Sequence, residues 1–237
     1  MIELNELRIL QENIFGRKLI CYPNLTLKRG LVYCLSGRNA SGKSTLVNYL
    51  FGTSNAKCIS GNVRLGGQDI EVGVGRHLGD LGYRLLPQRR PLSGNVSLRS
   101  AFRLLSAHRS CVSECLASMD NLLCKERPRV KRWSRIKLLQ LSGGEFKAAI
   151  IAAYAANRSL AGMILDEPLA GMAPEAQVKV LAFLCCTAKA RHIPIMLTSV
   201  LREPRPSLDE AIADGRISKL PTLADQADLD NIPVMEN

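Results

Sequence analysis

Residues 37–45 read GRNASGKST, which fits the spacing G-x-x-x-x-G-K-[ST]. Gly37 and Gly42 let the backbone curl, so that the amides of Arg38, Asn39, Ala40 and Ser41 can face an anion. A helix expected directly after this loop would add its positive N-terminal end. Lys43 would reach the outer phosphates of a nucleotide, Ser44 would ligate Mg²⁺, and Thr45 would add a phosphate contact. Downstream, GMILDEP at 162–168 is an apolar run ending in two carboxylates. Asp166 would organise Mg²⁺ through water, and Glu167 could polarise an attacking water as a general base.

The elements that must hold these residues follow from hydrophobic periodicity. Up to about residue 75 the chain alternates and turns, as in LVYCLSG (31–37), a buried strand that runs straight into the loop. Between about 89 and 140 the apolar residues recur at three and four, as in VSLRSAFRLLSAH and SECLASMDNLLC. From 141 onward helix, strand (GMILDE), helix (PEAQVKVLAFLCCTAKA) and strand (IPIMLTS) alternate, the rhythm of a parallel sheet with crossover helices. The expected fold class is therefore α/β with a helical insert. The acidic, weakly patterned stretch 221–237 reads as a loosely attached tail.

Composition narrows the function classes. The 237 residues carry a formal charge of +11, which favours an acidic partner such as a nucleotide, a nucleic acid or a membrane-bound complex. MIELNELRIL has no secretory pattern, and AAIIAAYAA (148–156) is too short to span a bilayer, so any membrane role would be peripheral. The eight cysteines form no CxxC pair and are expected as buried free thiols; a metal set of His108, Cys111 and Cys115 is the minor alternative.

LSGGE at 141–145, taken with the two motifs above, resembles the signature of ATP-binding cassette (ABC) ATPases, and the likeness covers about 1–220. The resemblance implies a P-loop NTPase core with a parallel sheet, an antiparallel N-terminal β subdomain and a helical insert at about 89–150. It also implies ATP and Mg²⁺ as cofactors, and two cassettes paired head to tail. Ser142, Gly143, Gly144 and Glu145 would then complete the site on the opposite chain. Phe15 matches the aromatic that stacks on adenine; an apolar packing residue is the alternative. Gln88 matches the glutamine that senses Mg²⁺ and water and couples to the membrane subunits. The wording PLAG is closest to branched-chain amino-acid importer and lipopolysaccharide-export ATPases.

Two positions depart from the family pattern. Ala173 stands where an aspartate or asparagine usually precedes PE, and Ser199 stands where a histidine usually contacts the γ-phosphate. A serine has neither the reach nor the charge of an imidazole, so slow hydrolysis at this chain's own loop is expected. The resemblance implies the ATPase subunit of a transporter, at the inner face of the cell membrane. Its partners would be separate membrane-spanning permease subunits and a second cassette, either a different chain or another copy. A soluble ABC ATPase of an assembly system such as iron–sulfur cluster biogenesis is the alternative, compatible with Lys147 after SGGE. The basic segment CKERPRVKRWSRIKLL (124–139) reads as a solvated face, with anionic lipid headgroups as an alternative; nucleic acid, stacked on Trp133, is not the expected partner.

Overall fold

The computed structural model describes residues 1–13, 16–53, 56–70, 78–88, 96–106, 112–123, 133, 136–200, 206–221 and 223. Alternating apolar residues open the chain as β1 (Ile2–Asn13), β2 (Gly16–Cys21) and β3 (Leu25–Leu27). After these come β4 (Val32–Gly37) and α1 (Lys43–Leu50), and then β5 (Lys57–Leu65) and β6 (Gln68–Ile70). β1 pairs antiparallel with β2, β3 and β5, and β5 pairs with β6, giving the expected antiparallel N-terminal sheet.

β4 belongs to a second sheet. The remaining strands are β7 (Tyr83–Leu86), β8 (Gly162–Leu165), β9 (Ile195–Val200) and β10 (Ser218–Lys219). They form the order β10-β4-β9-β8-β7, with every pair parallel. Such strands are buried on both faces and read as continuous apolar runs, which explains VYCLSG and GMIL. Side chains alternate between two cores. Val32, Cys34, Leu165, Ile195 and Leu197 face the first, and Tyr33, Leu35, Ile164 and Met196 face the second.

The second core lies between the parallel sheet, α1 and the antiparallel sheet, and holds Ile2, Leu4, Ile9, Leu46 and Leu50. Helices fill the first: α2 (Leu98–Leu105), α3 (Val112–Leu122), α4 (Gly143–Ala156) and α5 (Pro174–Arg191). A short helix, α6 (Pro206–Ala213), leads into β10. Phe102 of α2, Met119 of α3 and Ile151 of α4 share that core with the sheet, so the helical insert is continuous with the main body. The alanines of AAIIAAYAA let α4 be buried almost all round, from Phe146 to Tyr154.

Two expectations change. Trp133 is fully buried, and its indole N–H donates to Asp120 Oδ1 at 2.6 Å, so it is a core anchor and not a stacking platform. Lys125, Arg127, Arg129, Lys131, Arg132 and Arg135 lie outside the described residues. The six described cysteines are free, but only Cys34 and Cys115 are buried, and Cys58 and Cys186 are exposed. His108 and Cys111 lie outside the described residues, and no group of three metal-binding side chains occurs among those described. No described helix is long and apolar enough to cross a membrane. Past β10, the Leu223 amide donates to Ser36 O at 3.0 Å and Leu223 bridges Gly37, extending the edge alongside the phosphate loop.

Candidate nucleotide site

Parallel register brings the phosphate loop, Gln88, Asp166, Glu167 and Ser199 to one edge, at or near the carboxyl ends of their strands. Gly37 of β4 pairs with Val200 of β9, Ser36 with Ser199, and Leu165 of β8 with Leu197 and Leu86. The phosphate loop therefore leaves β4 beside Thr198 and Ser199. Asp166 and Glu167 leave β8 beside them, and Gln88 follows β7.

The loop is built from its own backbone demands. Gly42 caps α1 at φ 96°, a left-handed conformation; a Cβ there would come within 2.8 Å of Ile20 Cγ2. Ala40 is also left-handed, at φ 63°. Lys43 is 5% exposed, and its ammonium donates to the carbonyls of Gly37 (2.8 Å) and Arg38 (2.7 Å). Burial lowers the Lys43 pKa below its ordinary 10.5, and the carboxylates of Glu167 and Asp166 pull it back up.

Two side chains of the antiparallel sheet, and Tyr22 just past β2, tie this loop down. Lys18 Nζ donates to Ala40 O at 2.8 Å, and the Tyr22 hydroxyl donates to Gly42 O at 2.9 Å. Thr45 Oγ1 donates to Gln11 Oε1 at 2.8 Å. Burial raises the Tyr22 pKa far above its usual range, so the phenol remains a neutral donor.

A cavity of about 460 Å³ opens here. Its walls are Gln11, Lys18, residues Asn39 to Thr45, Gln88 and Glu167. Gly37, Arg38, Asp166 and Ser199 stand outside that lining. Sequence reasoning missed Gln11 and Lys18. Their signal is the exposed end of β1 and the start of β2, which the register brings opposite each other, Gln11 against Lys18. Phe15 lies outside the described residues.

Behind the cavity, Asp166 is 4% exposed and accepts from Thr198 Oγ1 at 2.6 Å. The same hydroxyl accepts from the Glu167 amide at 2.9 Å. Ser199, 8% exposed, is still inside β9. An ammonium, a run of loop amides, a helix N-terminus and oxygen donors together suit a polyphosphate with a hard cation.

Ser142 and Glu145 form a capping box at the start of α4. The Glu145 amide donates to Ser142 Oγ at 3.2 Å, and the Ser142 amide donates to Glu145 Oε2 at 2.8 Å. None of Ser142 to Glu145 lines the cavity. A Cβ on Gly143 would meet nothing within 4 Å, whereas one on Gly144 would lie 3.0 Å from Gly171 O.

A family model described as ABC transporter matches residues 22–170. An ABC transporter ATP-binding protein of Azorhizobium caulinodans is 30% identical over 169 residues, covering 70% of this chain and 57% of that protein. An arabinose import ATP-binding protein of Paraburkholderia xenovorans is 26% identical over 228 residues, covering 91% and 43%. The chain thus spans about half the length of these relatives. A bacterial ABC transporter cassette solved as a dimer shares the fold with a TM-score of 0.65, at 18% identity, over 84% of this chain and 88% of that one. The loop, the Asp166–Glu167 strand end and the LSGGE helix start all belong to this likeness, and the chain is a member of the ABC transporter family of ATP-binding cassettes.

Proposed function

We propose that this chain binds and hydrolyses ATP to energise a transporter, pairing in an ATP-dependent way with a second cassette. The observation that carries this reading is the division of the machinery. Asn39 to Thr45, Gln88 and Glu167 wall one cavity, while none of Ser142 to Glu145 lines it and Gly143 is open on its own chain. Each chain then has a loop to offer one nucleotide and a signature to offer another. The relatives named above include a sugar import subunit, which supports transport and gives the assembly-ATPase alternative no help.

Lys43 and the loop amides bind the phosphates, and Glu167 holds the attacking water and takes its proton. Ser44, Gln88 and Asp166 are the oxygen donors that would hold Mg²⁺, which when bound would supply charge neutralisation to the phosphates. Phe15 would stack on the adenine. Membrane-spanning permease subunits on separate chains would dock near Gln88, placing the protein at the inner membrane face.

Hydrolysis at this chain's own loop is weakened, because Ser199 cannot reach as an imidazole does and Ala173 lacks a side-chain acceptor. A different partner that carries a histidine at the Ser199 position would hold the faster site; a homodimer would hold two slow ones. In light scattering, Glu167→Gln with ATP should give a stable pair and Lys43→Ala none. Ser199→His should raise the hydrolysis rate by roughly tenfold or more. A parent chain that hydrolyses briskly, with Ser199→Ala unchanged, would show that the serine is no defect. Co-purification of polytopic membrane proteins tests the transport reading.

A further inference from the structure

Glu167 has an unusual backbone for a non-glycine residue, φ 50°. Such a conformation persists only where its surroundings enforce it. Both of its peptide groups are held. The amide donates to Thr198 Oγ1 at 2.9 Å, and the carbonyl accepts from Lys147 Nζ at 2.5 Å and, at a longer 3.3 Å, from the Ala170 amide. The same Lys147 ammonium also donates to Ala170 O at 3.0 Å, bracing the turn that follows the carboxylates. Lys147 is only 7% exposed, although it is a lysine. It sits in the first turn and a half of α4, two residues after the LSGGE stretch.

We infer that Thr198 and Lys147 are positioning residues that clamp the Glu167 backbone, and that Lys147 mechanically joins the signature helix to the chain's own hydrolytic carboxylate. The inference rests on the reading of Glu167 as the residue that activates water. Because φ at Glu167 decides where its carboxylate points, release of either peptide group lets the side chain leave its working position. A misplacement of about 1 Å costs on the order of 10²-fold in rate. Any displacement of α4 at its capped start, where Ser142 and Glu145 await the opposite site, reaches Glu167 through the ammonium–carbonyl contact. Lys147 then links the two sites of a pair in each cassette.

The test uses the full chain, with its native partner if it purifies with one. ATP binding, thermal midpoint, KM and kcat are measured for Thr198→Val, Thr198→Ser and Lys147→Met. Thr198→Val keeps the shape and removes the hydroxyl, whereas Thr198→Ser keeps the hydroxyl. The expected result is full ATP-binding stoichiometry in all three. We expect kcat to fall about 10²-fold in Thr198→Val and Lys147→Met at a KM within about twofold. Thr198→Ser should stay near the parent. Glu167→Gln is the reference. If it abolishes hydrolysis while Lys147→Met and Thr198→Val remain as fast as the parent, the clamp is overturned alone. If Glu167→Gln changes nothing, or the parent never hydrolyses ATP, the underlying reading of Glu167 falls and the clamp with it. A parallel loss of binding stoichiometry and thermal midpoint, with kcat per bound nucleotide preserved, also overturns the clamp, because it describes a folding role only.

Discussion

Lys43 couples the loop to pH. Burial lowers its ammonium below 10.5, so between the lowered value and 10.5 the native chain binds fewer protons than the unfolded chain. Stability therefore rises with pH across that window on account of this group. Phosphates favour the ammonium, so nucleotide affinity should fall as pH climbs through the lowered value, with proton uptake on binding. Titration calorimetry in two buffers of different ionisation enthalpy measures that uptake, and Lys43→Arg should bind more weakly with a flat profile. At this scale the sequence was most legible where spacing alone dictates chemistry, as in the phosphate loop and the Asp-Glu pair. Thr198, Lys147 and Lys18 were illegible, because a hydroxyl or ammonium marks nothing until distant strands bring a carbonyl or carboxylate within 3 Å. Trp133 misled for the same reason: charged neighbours in sequence conceal a buried partner, Asp120.

Elements were legible wherever periodicity was strong, and β4, β8, β9, α4 and α5 stand where their patterns place them. Caps are less visible in the sequence than the elements they end. Ala173 caps α5 without any side-chain bond, at φ −64° and ψ 150°, followed by Pro174. That geometry already suits an aspartate, whose carboxylate would accept from the first-turn amides and meet the positive helix end. Ala173→Asp should raise stability by about 1 kcal/mol, which is a rise of about 2–4 °C in thermal midpoint for a domain of this size. Calorimetry checks it. No rise would mean that the residue's usual family counterpart is there for the partner and not for its own helix.

At the scale of the whole molecule, the two signature glycines separate the demands of the chain from those of an assembly. Gly144 is pressed against Gly171 O and Met172, so Gly144→Ala should cost about 1–3 kcal/mol in the isolated chain. Gly143 is open on its own chain, so Gly143→Ala should leave stability within about 1 kcal/mol of the parent. It should nonetheless weaken ATP-driven pairing, because the added methyl would project where a second cassette brings its nucleotide. Urea unfolding and light scattering read the two effects separately, and equal pairing by Gly143→Ala and the parent would count against the paired reading. The antiparallel sheet and the helical insert were foreseeable as blocks, but which strands would be neighbours was not, since pairing order is a property of the closed sheet.

That pairing order also governs how the protein is born. The strand that bears the phosphate loop, residues 32–37, is flanked by 195–200 on one side and 218–219 on the other. Neither neighbour exists until about 160 residues later, which at ribosomal speeds of about 5–20 residues per second is a wait of roughly ten to thirty seconds. Through that interval the nascent VYCLSG is an apolar strand without its partners in the parallel sheet. The loop's side-chain ties, Gln11, Lys18 and Tyr22, are made before it, whereas the strand that carries it gains its sheet neighbours last.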